Sequence, residues 1–231
     1  MNKRPHSKTG LVLLSGGMDS STCLAIAVSE GFKTYTLAFD YGQKHRFELE
    51  MARRQAEAFR VMEHKVMSVD LNSIVKSALT GQIQVSHENP KVGIPSTYVS
   101  ARNIIFLSLG LAWAELLDVQ DIFIGANQVD YSGYPDCRRE FLDAYEHMAN
   151  VGTRMGVEGK AIRIRAPLIY MTKAQIITRG IELGVDFRNT HTCYDPTPEA
   201  RACGQCPSCI FRLKGFSEAG LKDPISYEKR F

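Results

Sequence analysis

Leu11-Val12-Leu13-Leu14-Ser15-Gly16-Gly17-Met18-Asp19-Ser20 is the stretch on which the fold turns. Its apolar run, Leu11–Leu14, has the length and bounding glycines of a buried strand. Asp19 or Ser20 is expected to cap a helix that runs to about Gly31, with Cys23, Leu24, Ala27 and Val28 on one face. Between strand and helix, Gly16 and Gly17 let the backbone approach an anion closely and turn N–H groups toward it. The following helix aims its positive end at the same place. Ser15, Ser20 and Ser21 add hydroxyl donors. Asp19 would repel a phosphate unless a cation stood between them, which suggests Mg2+ beside its capping role. The lysine of the Gly-x4-Gly-Lys-Ser/Thr loop is absent, and so is the Gly-x-Gly-x-x-Gly dinucleotide turn.

Outward from this stretch, strands and helices alternate. Further strands are predicted at Lys33–Phe39, Lys65–Val69, Asp121–Gly125 and Ala161–Arg165. Helices are predicted at Arg46–Phe59, Asn103–Leu117, Arg139–Met155 and Thr172–Leu183, the last capped by Thr172 and closed by Gly184. In the Arg46–Phe59 helix the expected apolar stripe is Phe47, Met51, Ala58 and Phe59. Residues 80–97 are rich in Gly, Pro and polar side chains and are assigned to a loop. The pattern implies an α/β fold: a doubly wound parallel sheet of about five strands with helices on both faces. Such sheets bind ligands beyond the carboxyl ends of their strands. The polar clusters Ser15–Ser20, Asp40–His45 and Asn127–Arg138 each follow a predicted strand.

Within those clusters, Asp40-Tyr41-Gly42-Gln43-Lys44-His45 stands where adenine or ribose would lie if phosphate sits at the first loop. Asp40 has a plain alternative as a turn residue. The run from Asp130 through Tyr134, Asp136 and Cys137 to Arg138 mixes rings, carboxylates and a guanidinium. That mixture suits a flat heterocycle, and equally a solvated loop. Arg102 has a planar fork able to grip phosphate or carboxylate, and Lys173 at a helix start can neutralise phosphate or simply face water.

Four of the six cysteines, Cys193, Cys203, Cys206 and Cys209, fall at spacings x9, x2 and x2. Four soft ligands closing a tetrahedron suit a structural zinc, with no position left for substrate. Pro207 can start a helix at Cys206, which sets Cys206 and Cys209 one turn apart. An iron–sulfur reading lacks the final Cys-x3-Cys-Pro. Cys23 is assigned to the core; Cys137 is in a polar loop and can be reactive. The expected division is an α/β domain over 1–188 and a zinc-binding C-terminal subdomain over 189–231.

The chain of 231 residues is 44% apolar, with a net charge of +3 and no long basic block, so a nucleic-acid partner is not expected. Lys160, Arg163 and Arg165 read as the polar face of a strand. No signal peptide is evident, and the most apolar stretch, Ile104–Leu117, is too short for a membrane span and contains Glu115. The expectation is a soluble, cytoplasmic protein with no membrane partner.

Ser15-Gly16-Gly17-Met18-Asp19-Ser20 resembles the SGGxDS loop of the N-type ATP pyrophosphatases, the PP-loop superfamily. The resemblance implies that the loop holds the β and γ phosphates while the α-phosphate is attacked. It extends the nucleotide contacts to Leu14, Ser15, Gly16, Gly17, Met18, Asp19, Ser20, Ser21, Thr22, Cys23, Leu24, Asp40 and Tyr41. That loop, the Asp40–His45 segment, Arg102-Asn103, the segment Ser132–Arg138 and the four cysteines together resemble the 7-cyano-7-deazaguanine synthases of queuosine precursor synthesis. Ser100-Ala101 stands where many relatives are expected to carry Pro-Gly. The family implies ATP-dependent conversion of 7-carboxy-7-deazaguanine and ammonia to the nitrile, with release of AMP and pyrophosphate. It further implies Mg2+, one structural Zn2+, a homodimer and free ammonia as nitrogen donor. Catalytic roles would fall to Asp19, Ser20, Arg102 and Lys173, and recognition of the base to Asp130, Tyr134, Asp136 and Arg138. The rival readings are a PP-loop enzyme of tRNA thiolation and a nucleotide-binding domain without turnover.

Overall fold

In the computed structural model the described residues are 8–43, 46–75, 77–80, 94–129 and 134–228. Five parallel strands form one sheet: β1 (Thr9–Leu13), β2 (Lys33–Asp40), β3 (Glu63–Ser68), β4 (Asp121–Ile124) and β5 (Arg163–Arg165), in the order β3-β2-β1-β4-β5. Leu11 pairs in register with Tyr35 on one side and Ile122 on the other. The chain winds outward from β1 to β3, then returns to lay β4 on the other side of β1. The carboxyl ends of β1 and β4 therefore flank a topological switch point.

Alternation along β1 divides the core in two. Leu11 and Leu13 face α3 (Arg102–Leu116) and α4 (Arg139–Gly152), packing with Leu107, Leu111 and Leu142. Val12 and Leu14 face α1 (Met18–Ser29) and α2 (Phe47–Ala58), packing with Leu24, Ala27, Ala52 and Ala56. A period of two residues on a strand buried on both sides produces this result. The α1 helix buries more than the single face expected of it, because α6 (Lys173–Glu182) covers its outer side. Met18 and Ala25 there meet Ile177, Phe187 and Phe216.

Three local expectations are corrected. The N-cap of α1 is Gly17, with no side-chain cap; the hydroxyls of Ser20 and Ser21 instead donate to the Gly17 carbonyl, at 3.1 and 2.8 Å. The buried face of α2 is Ala52, Gln55 and Ala56, while Ala58 is exposed. Small residues let α2 lie close on the sheet, so the larger Phe47, Met51 and Phe59 stay at its margin. The predicted Arg139–Met155 helix breaks at Thr153, which is extended and whose hydroxyl accepts from Gly156 N to cap α5 (Arg154–Val157). Thr172 caps α6 with a full capping box, as expected. Of the predicted 80–97 loop, residues 81–93 lie outside the described residues.

The C-terminal helix α7 (Pro207–Glu218) packs on α6. Its Arg212 is fully buried and forms a bidentate pair with Asp223 at 2.8 and 3.0 Å. It also donates to Thr190 Oγ1 at 2.8 Å and to the Phe187 carbonyl at 3.0 Å. Removing one partner would strand the other charge in the interior. The two arginines of β5, Arg163 and Arg165, share one carboxylate, Asp121, and Lys160 ahead of the strand pairs with Asp118 at 2.6 Å.

Candidate active site

A cavity of about 360 Å³ opens at the carboxyl ends of β1, β2 and β4. Its floor is the turn between β1 and α1. Gly16 has φ +82°, and a Cβ there would lie 2.0 Å from the Glu48 carbonyl oxygen and 2.6 Å from Ala52 N. Glycine is thus required both for the left-handed backbone and for the close approach of α2. The Ser15 and Ser20 hydroxyls are 3.0 Å apart, and Gly17 N donates to Ser15 Oγ at 3.3 Å. These bonds fix the loop ahead of the helix N-terminus.

Two cationic side chains join the loop from distant sequence. Lys173, at the start of α6, donates to both Asp19 carboxylate oxygens, at 2.9 and 2.8 Å. Its side chain is only 12% exposed, which removes the solvated reading of this lysine. Arg102 begins α3 and lines the same wall. Burial works against its charge, but Tyr41, Cys137, Tyr194 and Tyr134 around it hold the guanidinium above its ordinary pKa. Burial pushes Tyr41 up to about 12 and Cys137 up to about 11. Cys137 accepts a hydrogen bond from Asn103 Nδ2 at 3.3 Å and is an unactivated thiol, not a nucleophile.

The cavity wall brings together Leu14, Ser15, Gly17, Met18, Asp19, Ser20, Tyr41, Arg102, Tyr134 and Lys173 of the residues singled out in sequence. Others stand elsewhere. Ser21, Thr22, Cys23 and Leu24 are buried in α1 behind the loop, where Thr22 donates to the Met18 carbonyl. Asp40 pairs with Arg46 at 3.1 Å. Asp136 is buried and accepts from Asn103 N at 3.1 Å, satisfying an orphan donor in the first turn of α3. The accepting carboxylate oxygen is thereby engaged at the start of α3, and Asp136 is not among the residues of the cavity wall. Arg138 is exposed and lines a separate shallow depression with Gln128, Pro135 and Phe141. Asp130, like Lys44, His45 and 131–133, lies outside the described residues.

Sequence reading missed Gln43, Glu48, Phe39, Phe106, His191 and Tyr194, all on the wall. Phe39 and Phe106 stack at 4.0 Å with an interplanar angle of 9°. Gln43 is within the segment already quoted, and its side chain bridges Tyr41 N and the Phe39 carbonyl at 2.8 and 3.2 Å. Glu48 carries no motif of its own; burial pushes its carboxyl up to about 7, against the pull of Arg102 and a hydrogen bond from Gln43.

Cys193, Cys203, Cys206 and Cys209 are buried, and their sulfurs lie within 4.8 Å of one another. Backbone N–H groups of Cys203 and Cys206 donate to Cys193 Sγ and Cys203 Sγ, both at 3.2 Å. Such bonds stabilise thiolate charge and orient sulfur toward a common centre. Hydrogen bonds from Cys193 and Cys209 hold the Cys206 thiol far below its usual value. Cys206 is the N-cap of α7 and Pro207 its first residue, as expected from sequence. The cluster can hold a metal ion, and Cys193 also lines the cavity.

A parallel 3-2-1-4-5 sheet with a Ser-Gly-Gly-Met-Asp-Ser turn at its switch point defines the PP-loop α/β class. The fold is similar to NMN synthetase from Francisella tularensis, with a TM-score of 0.51 at 15% identity, covering 94% of this chain and 79% of that one. Residues 9–220 match the family model described as queuosine biosynthesis protein QueC, and the chain belongs to that family. It is 55% identical over 222 residues to the 7-cyano-7-deazaguanine synthase of Citrifermentans bemidjiense, covering 96% of this chain and 99% of that protein. It is 54% identical over 222 residues to the protein of the same name from Pseudomonas aeruginosa, with the same coverage. In the described residues no helix is long and apolar enough to cross a membrane.

Proposed function

We propose that this chain is a 7-cyano-7-deazaguanine synthase, which uses ATP to activate the carboxylate of 7-carboxy-7-deazaguanine and ammonia to convert it to the nitrile. The observation that carries the reading is the meeting of the phosphate loop, Lys173 and Arg102 in one cavity, in a chain 55% identical to a protein of that name over nearly its full length. The chemistry follows from leaving groups. A carboxylate oxygen leaves poorly, whereas AMP leaves readily. The carboxylate attacks the α-phosphorus of ATP and pyrophosphate departs; ammonia then displaces AMP to give an amide. A second ATP activates the amide oxygen, whose loss leaves the nitrile. Charge stabilisation and positioning are then the protein's main contributions.

The loop backbone and Ser15, Ser20 and the α1 N-terminus would hold the outer phosphates. Lys173 and Arg102 would offset the charge that builds on the transferring group. Asp19 is the carboxylate beside the loop, a suitable single protein ligand for Mg2+ that is otherwise bound by phosphate oxygens. Tyr134, on the cavity wall, would meet the deazaguanine ring. Four buried thiols with N–H···S support fit a tetrahedral Zn2+ that organises residues 189–231 as a subdomain. The reading includes free ammonia, a homodimer and a cytoplasmic location. An RNA substrate is less well supported, since the sequence has no long basic block and Arg163 and Arg165 both contact Asp121. The test is incubation with ATP, ammonia and 7-carboxy-7-deazaguanine. AMP, pyrophosphate and the nitrile are expected; ADP as the sole nucleotide product sinks the proposal.

A further inference from the structure

Among the described residues, two carboxylates line the cavity, Asp19 and Glu48. Lys173 contacts both oxygens of Asp19. Glu48 has a different setting. It sits in the first turn of α2, whose backbone is pressed against the phosphate loop at Gly16. It faces Arg102 from α3, and it is steadied by Gln43, whose amide is itself tied to backbone at Tyr41 and Phe39. The side chain is thereby fixed between the phosphate loop and Arg102, where the α-phosphate and the activated carboxyl would meet.

A carboxylate in that place is at odds with its surroundings. Arg102 and Lys173 on the wall suit anions, Asp19 is held by Lys173, and a polyphosphate repels a further negative charge. Arg102 offsets part of the Glu48 charge, and once phosphate or carboxylate also draws on the guanidinium the group is best tolerated if the reaction brings it a further cation or a proton. Mg2+ arrives with ATP and is assigned to Asp19 and the phosphate oxygens; of the remaining reactants ammonium alone is a cation near neutral pH, and it must lose a proton before its nitrogen can attack. Resting on that reading, we propose that Glu48 receives ammonium at the reaction centre and takes the proton that frees the nitrogen lone pair. The freed pair forms the C–N bond to the activated carboxyl carbon. The C–O bond to the adenylate breaks with its electron pair leaving on AMP, and the second N–H proton passes to solvent. Burial pushes the Glu48 carboxyl up to about 7, a proton affinity suited to this exchange.

The test is Glu48→Gln in the full-length enzyme, read in three assays. Carboxylate-dependent exchange of labelled pyrophosphate into ATP, without ammonia, reports adenylation alone. It should stay within about threefold of wild type, and its absence from the wild-type enzyme would instead defeat the underlying functional reading. Amide formation from ammonium should lose at least about 100-fold in kcat/KM, the scale of a lost general base. Amide-type product formation from hydroxylamine, already unprotonated at neutral pH, should be nearly unchanged. An ammonium kcat/KM within twofold of wild type overturns the proposal. Parallel loss of exchange and of both nucleophile reactions also overturns it, because Glu48 would then serve carboxylate binding or folding. Should E48Q not fold, E48D decides by the same split: its shorter carboxylate should impair ammonium use while sparing exchange and hydroxylamine.

Discussion

The phosphate loop and the cysteine clip are built from opposite materials, yet they touch. The loop is mostly backbone: Gly16 at φ +82°, and serine hydroxyls turned back onto Gly17. The clip is four side chains drawn to one point, with the backbone in support. His191 N donates to the Gly16 carbonyl at 3.0 Å, and Cys193 lines the cavity above the loop. The clip thus forms one wall of the cavity. A metal held by these four sulfurs would be structural by role and yet close to the cavity by position. A wall set by side chains should fail when one ligand is lost, whereas a wall set by backbone should fail when one Cβ is added.

The largest effect is expected at the clip. Cys206→Ser removes one of four thiolates and also alters the N-cap of α7. Metal content measured by atomic emission should fall from about one per chain to near zero. Because His191, Thr192 and Tyr194 share the cavity wall, turnover should fall by more than about 100-fold. Full metal content in this variant would contradict the ligand assignment. Metal loss with unchanged turnover would separate the two regions that the structure joins.

The next effect belongs to the loop. In Gly16→Ala the new Cβ meets the Glu48 carbonyl at 2.0 Å and Ala52 N at 2.6 Å, so backbone of α2 must move. The left-handed conformation adds about 1–2 kcal/mol. The KM for ATP should rise at least about tenfold, with bound metal unchanged. Equal affinity for ATP in wild type and variant would remove the loop from the nucleotide site.

This contrast also explains what the sequence revealed. The strands, the sheet and the clip were legible because each depends on spacing: alternation at Leu11–Leu14, or cysteines two residues apart. The N-cap of α1 was misread because Asp19 is drawn to Lys173, 154 residues away, and Ser20 bonds backward to Gly17. Asp136 was read for its charge alone, whereas one of its carboxylate oxygens also accepts from Asn103 N in the first turn of α3, a contact that spacing does not announce. Glu48 carries no local signal; its importance arises only where α2, α3 and the loop converge. Groups whose role is set by one neighbour in sequence were readable, and groups set by tertiary convergence were not.

The smallest expected effect sharpens the comparison from the other side. Ala101 caps α3 with φ +56° and ψ +20°, a left-handed turn without a side-chain cap, directly before Arg102. It occupies the place where glycine was expected from the family resemblance. Ala101→Gly should relieve about 1–2 kcal/mol of left-handed strain. The greater freedom of glycine in the unfolded chain returns about 0.4–1 kcal/mol of that gain. The net is a stabilisation of up to about 1.5 kcal/mol, which in a chain of this size raises Tm by up to about 6 °C. Neither Arg102 N, bonded to the Val99 carbonyl at 3.1 Å, nor Ala101 N, bonded to Tyr98 Oη at 3.2 Å, loses a partner, so turnover should stay within about twofold. A lower Tm would mean that the alanine methyl contributes packing that outweighs its strain. The Arg102 wall would then be held by side chains, as the clip is, and the division between the two regions would not extend to this side of the cavity.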